Sequence, residues 1–140
     1  MRCHPLFAAL IIAGSAEAAP LPGPIRASVE RVIDGDTFKA RATIWIDQQV
    51  AVSVRVVGVD APELSRPQCA AEHERARKAR DFTAAFLNGG EAILSDIRHD
   101  KYAGRVLARV ENSAGADLAE ALFAAGLAAR GDSGSWCPLS

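Results

Sequence analysis

The chain has 140 residues, 49% hydrophobic and 24% charged, with 16 basic against 17 acidic side chains and a formal net charge of -1. This is enough apolar material for one globular domain with a single core, and too little length for two. The balance excludes a globally basic nucleic-acid binder but not local basic clusters, since electrostatic steering depends on where charges lie as well as on their sum.

Residues 1–19 read as a signal peptide. Arg2 makes a short basic start, Leu6 to Ala13 an apolar run, and Ala16-Glu17-Ala18 a small-residue cleavage site. The alternative is an uncleaved amphipathic anchor. Cleavage after Ala18 or Ala19 implies export to a periplasm or the exterior, and the apolar run falls far short of the roughly 20 residues of a membrane-spanning helix. Cys3 leaves with the signal, so Cys69 and Cys137 are expected to pair in an oxidising compartment. Such a disulfide is worth roughly 4 kcal/mol on a chain-entropy estimate. Two unpaired thiols or an intermolecular bridge are the other possibilities.

Residues 20–24, rich in proline and glycine, form an extended leader, and a single domain over 25–140 follows. Alternation then predicts three strands, each with one buried face: Val29 and Ile33; Phe38, Ala40, Ala42, Ile44 and Ile46; Val50, Val52, Val54 and Val56. Asp34-Gly35 is a hairpin signal between the first two, and Asp47-Gln48-Gln49 makes the next connection, giving a meander. Between Cys69 and Asn88 the spacing turns helical, with Ala76, Ala79, Phe82, Thr83, Phe86 and Leu87 on one stripe, until Gly89-Gly90 stops it. Two further strand-like runs, EAILSDIR and RVLARVE, flank HDKYAG, and a second helix ends at Gly126. An α+β domain results, whose five antiparallel strands need closure to hide their edges. The five-stranded, partly open barrel of the oligonucleotide-binding (OB) type is the natural candidate.

Arg55 projects from the face opposite the valines of the third strand, close to the turn that carries Asp60 and Glu63 around the stiffening Pro62. If the first and third strands flank the second, Asp36 meets them there. An all-oxygen cluster of this kind suits a hard cation such as calcium better than zinc. His73 and His99 have no spacing that pairs with cysteine and are read as surface or local hydrogen-bonding residues. Taken singly, Asp34-Gly35-Asp36 is a turn, Asp60-Ala61-Pro62-Glu63 a capped loop and Arg55 a solvated sheet residue.

Together they resemble the staphylococcal nuclease (thermonuclease) family, whose motifs run in the same order. Here they stand as Asp34-Gly35-Asp36-Thr37, Arg55 with Asp60-Ala61-Pro62-Glu63, and Lys101-Tyr102-Ala103-Gly104-Arg105. The resemblance implies a secreted, calcium-dependent endonuclease on an OB-type barrel, a monomer without membrane association after signal cleavage, that hydrolyses DNA and RNA, single-stranded or frayed, to 3′-phosphate products. By motif, Asp36, Asp60 and the Ala61 carbonyl would bind calcium. Glu63 would act on the attacking water, as general base or as orienting residue. Arg55 and Arg105 would hold the reacting phosphate, and Lys101 and Tyr102 a terminal phosphate. The chemistry is sensible in itself, because in-line attack loads negative charge onto phosphoryl oxygens and an arginine fork can meet two of them.

Three departures stand out. Ala61 replaces a threonine, which a backbone ligand tolerates. Ala103 is an additional residue before Gly104, which the loop is expected to absorb with Arg105 still in register. The chain stops soon after its second helix, so the family's third helix is expected to be absent, with the tail pinned by Cys137 to Cys69 and Trp136 either stacking on a base or covering core. Two other classes of function remain: a non-catalytic barrel binding oligonucleotides or another anionic polymer, and a partner-binding or structural protein of the cell envelope.

Overall fold

A computed structural model describes residues 18–88 and 90–139. The apolar run and most of the cleavage site of the expected signal peptide lie outside these residues. Nine elements follow in order: β1 (Ile25–Asp34), β2 (Thr37–Trp45), β3 (Gln48–Val56), β4 (Val59–Asp60), α1 (Ala70–Phe86), β5 (Glu91–His99), β6 (Arg105–Asn112), α2 (Leu118–Ala124) and β7 (Ala129–Arg130). Five strands close into a barrel in the order β1-β2-β3-β6-β5, while β4 and β7 form a separate two-stranded sheet. This is the expected OB-type α+β barrel with two helices among the described residues. Four of its seams are antiparallel, and the β3–β6 seam, aligned Ser53 with Arg105 and Val56 with Ala108, is parallel. That seam puts the start of β6, and hence Arg105, beside Ser53 and Arg55.

Phe38, Ala40 and Ala42 of β2 alternate inward and meet Val54 and Val56 of β3, Leu94 of β5, and Ala108 and Val110 of β6. Leu118 and Leu122 of α2 and Leu87 at the end of α1 complete the same core. At about 25 cal/mol per Å² of apolar surface removed from water, the phenylalanine, leucines and valines of this core stabilise the fold by roughly 1.5–3 kcal/mol each, the alanines by less.

Three strand-level expectations are corrected. A register shift between Val29 and Arg31 turns Val32 toward the core opposite Phe38, so Val29 and Ile33 do not share a face, and Ile33 lines the cleft described below. The β2–β3 turn is Ile46-Asp47, with Asp47 at φ 58, so Gln48 and Gln49 belong to β3. That hairpin runs past the barrel wall and leaves Ile44, Ile46 and Val50 exposed, as well as Trp45. The leader is extended and tied down, for Leu21 and Ile97 exchange backbone hydrogen bonds of 2.8 Å.

Helix α1 forms as its period predicts. Cys69 is its N-cap, accepting from the Glu72 N–H, and Ala76, Ala79 and Thr83 are buried on the face toward β1. The helix is anchored to the first hairpin by the Thr83 hydroxyl, which donates to the Gly35 carbonyl at 2.6 Å. Gly35 itself does not adopt the left-handed backbone. An added Cβ would lie 2.7 Å from the Ala79 Cβ and 3.2 Å from the Ala61 Cβ, so glycine is there to let helix and hairpin touch.

Candidate functional site

The β1–β2 turn, the exit of β3, the loop into α1, the β5–β6 loop and the C-terminal tail surround one open cleft of about 1070 Å³, spacious enough for a nucleotide-sized ligand. It is lined by Asp36, Arg55, Asp60, Ala61, Glu63, Lys101, Tyr102 and Arg105, so every residue singled out for catalysis, metal or substrate binding converges there. Cys137 lines it too and is bonded to Cys69, as the cysteine count suggested. His73 and His99 are exposed and lie outside it.

Asp36 is buried and held from two directions. The Thr37 hydroxyl donates to its Oδ1 at 2.8 Å, and the Ala61 N–H to its Oδ2 at 2.9 Å. Arg55, half-buried, places Nη2 3.7 Å from Asp36 Oδ2 and donates to the Val59 carbonyl at 3.3 Å. These contacts lock the end of β3 to the first hairpin. Asp60 accepts from the Gly134 N–H at 2.8 Å. Its pKa is raised, first by burial and then by the nearby charges of Asp36 and Asp132, against the lowering effects of that hydrogen bond and of Arg55.

Glu63 is exposed at the rim, where Ser65 donates to its Oε1 at 3.0 Å. Its loop is shaped from below by buried Glu72, whose carboxylate accepts the N–H groups of Glu63 at 3.3 Å and Gln68 at 2.6 Å. Across the cleft, Arg105 Nε is paired with Asp100, whose other oxygen accepts from the Lys101 N–H at 2.6 Å. Burial, the largest single influence on Asp100, raises its pKa, but the Arg105 and Lys101 hydrogen bonds and the charge of Arg105 together bring it below the usual value. The Arg105 guanidinium stacks 4.4 Å from the Tyr102 ring centroid, and Lys101 Nζ lies 5.2 Å from the same centroid. Ala103 falls in this loop, Gly104 closes it at φ 74, and Arg105 opens β6 in register.

Sequence reasoning missed four participants. Asp34 accepts from the Leu64 N–H at 3.1 Å, and its pKa is raised chiefly by burial and further by Asp36 and Glu63. Asp100 adjoined the Lys101-Tyr102 motif and its position was the available signal. Glu72 stood in the helical stretch with nothing to set it apart, and the tail at Gly134 carried no local signal at all. Trp136 is half-buried against the cleft with the Arg75 guanidinium 5.8 Å from its ring centroid, so it belongs to the cleft wall and not to the core cluster.

The charge of the cleft is decisive for its chemistry. Asp34, Asp36, Asp60, Glu63, Glu72, Asp100 and Asp132 line it, against only Arg55, Lys101 and Arg105. The charged lining is therefore net negative, a setting in which a bound cation would favour an anionic ligand. Among the described residues no three His, Cys, Asp or Glu side chains form a closed metal cage. Two carboxylates, Asp36 and Asp60, offer oxygen donors only, with Ala61, the residue after Asp60, tied by its N–H to Asp36, and this partial set fits a hard cation that completes its shell with carbonyls and water.

Residues 53–133, more than half of the chain, match the family model described as Staphylococcal nuclease homologue. Two curated relatives, from Escherichia coli and Escherichia coli O157:H7, each bear the name "Uncharacterized endonuclease" and are 29% identical over 104 residues. The match covers 74% of this chain and 60% of each relative's length.

Proposed function

The chain belongs to the staphylococcal nuclease homologue family, and from that premise we propose that it is an exported, calcium-dependent phosphodiesterase that cleaves DNA and RNA to 3′-phosphate products. The observation that carries this reading is the convergence of Arg55 and Arg105 on a cleft otherwise lined by carboxylates. On such a surface the two guanidinium groups, with Lys101 at the rim, are the cationic donors a phosphodiester would meet, and a bound cation beside them would offset the carboxylates.

In this reading Asp36, Asp60 and the Ala61 carbonyl would hold the calcium, which would offset the carboxylates and act as a Lewis acid toward the phosphate. Arg55 and Arg105 donate to the phosphoryl oxygens, already oriented by Asp36 and by Asp100 with Tyr102, so little reorganisation is needed as charge builds up. Glu63, exposed at the rim and steadied by Ser65, orients a water and takes its proton as the water oxygen attacks phosphorus. The bond to the 5′-oxygen breaks, that oxygen gains a proton, and the phosphate stays on the 3′ side. Lys101 and Tyr102 sit on the cleft rim, where they contact a neighbouring phosphate.

Hydrolysis of single-stranded DNA and of RNA by the purified chain, with calcium, with magnesium and with chelator, tests this. Calcium-dependent cleavage is expected, with Arg55→Ala or Arg105→Ala lowering turnover by roughly 10³ to 10⁵ and Glu63→Gln also suppressing it. DNA binding without cleavage under any metal would overturn the reading in favour of a binding module.

A further inference from the structure

We propose that residues 131–137 are a working part of the cleft, a strap held by the Cys69–Cys137 disulfide, whose Gly134 amide is a positioning group for Asp60. The cation affinity of the site then depends on the oxidation state of that disulfide. This rests on the reading of Asp60 as a cation ligand.

The strap is fastened at both ends. At the first, β4 pairs with β7, Val59 opposite Arg130 and Asp60 opposite Ala129, and the Gly131 N–H donates to the Gly58 carbonyl at 3.0 Å. At the second, Cys137 is bonded to Cys69, the residue that caps α1. Between the two, the Gly134 N–H reaches Asp60 Oδ2 at 2.8 Å. The fit is close: a Cβ at Gly134 would lie 2.5 Å from that same oxygen and 2.7 Å from the Trp136 ring, so a side chain there would displace the Asp60 carboxylate or the indole. The strap therefore presents a backbone donor to a carboxylate, with the Trp136 indole beside Gly134. Groups that orient a ligating carboxylate from behind typically alter metal affinity by about 10- to 100-fold when removed. The two-residue β4–β7 ladder alone leaves the span from Asp132 onward without its far anchor.

Reduction by a dithiol breaks the S–S bond. Two electrons and two protons pass to the sulfurs, giving two cysteine thiols, while the dithiol becomes a cyclic disulfide. The tail is then free to lift, and the Gly134 amide leaves Asp60.

The test is calcium binding by isothermal titration calorimetry on the full chain, oxidised and then reduced with dithiothreitol. Beside it stand the Cys69→Ser/Cys137→Ser variant, in which serine can still cap α1, and Gly134→Ala with the disulfide intact. About 10- to 100-fold weaker calcium binding is expected in all three altered proteins, with amide exchange of the barrel strands unchanged and cleavage recovering at saturating calcium. Equal affinity in oxidised and reduced protein, with cleavage intact, would overturn the proposal and leave the nuclease reading standing. Loss of barrel protection on reduction would make the disulfide a general staple and also overturn it. No calcium binding by the oxidised chain would remove both readings together.

Discussion

Replacing Gly35 by alanine tests how the site is built. The added methyl would meet the Ala79 Cβ at 2.7 Å and the Ala61 Cβ at 3.2 Å. Ordinary carbon contacts lie at about 3.5–4.0 Å, so the hairpin and α1 must separate by roughly 0.8 Å or more. Overpacking of this kind costs about 1–3 kcal/mol. Because Gly35 does not need a left-handed backbone, none of that cost comes from φ. Ala79→Gly removes the nearer obstacle at a helix-propensity cost of about 1 kcal/mol. Urea denaturation of the two single variants and the double variant should therefore show that Gly35→Ala costs at least about 1 kcal/mol less when residue 79 is glycine. Calcium affinity should follow the same pattern, since Asp36 is the next residue in the chain. Equal costs of Gly35→Ala in both backgrounds would show that glycine serves the turn and not the helix contact, and the argument would fail.

Thr83→Val keeps the shape and β-branching of the side chain but leaves the Gly35 carbonyl without its 2.6 Å donor, and should lower the free energy of unfolding by about 1–3 kcal/mol in the same assay. Asp100, lowered in the fold from 3.8, contributes stability that is fully present above 3.8 and lost as pH falls through its folded value. The stability gap between wild type and Asp100→Asn should accordingly close below about pH 4. Asp34 is shifted the opposite way: raised from 3.8, it carries a cost above its folded value that vanishes below 3.8. Asp34→Asn can still accept the Leu64 N–H, so in chelator it should raise the melting temperature at neutral pH and lose that advantage in acid.

Alternation and helical spacing sufficed to read the five barrel strands and α1, because the inward side of a strand or helix is a property of neighbouring residues. The residue types at the ends of those elements likewise drew attention to Asp36, Arg55, Asp60 and Glu63, and the family resemblance added Arg105; all five line the cleft. The register shift between Val29 and Arg31 in β1 was invisible, since it moves Val32 inward and Ile33 to the cleft without changing composition. The parallel seam of β3 with β6 was equally hidden, for it depends on where the chain returns after α1 and β5.

What the sequence by itself determined was the barrel's strand pattern and the kind of chemistry its loops carry. Only the tertiary structure decided that Glu72 is buried in α1 and holds the Glu63 loop. It decided too that Gly35 exists for α1, and that the tail returns across 74 residues of chain to donate to Asp60. Those features arise from pairs of residues far apart in the chain, whose separate identities say nothing of their meeting; closure of the barrel and the Cys69–Cys137 bond bring them within reach.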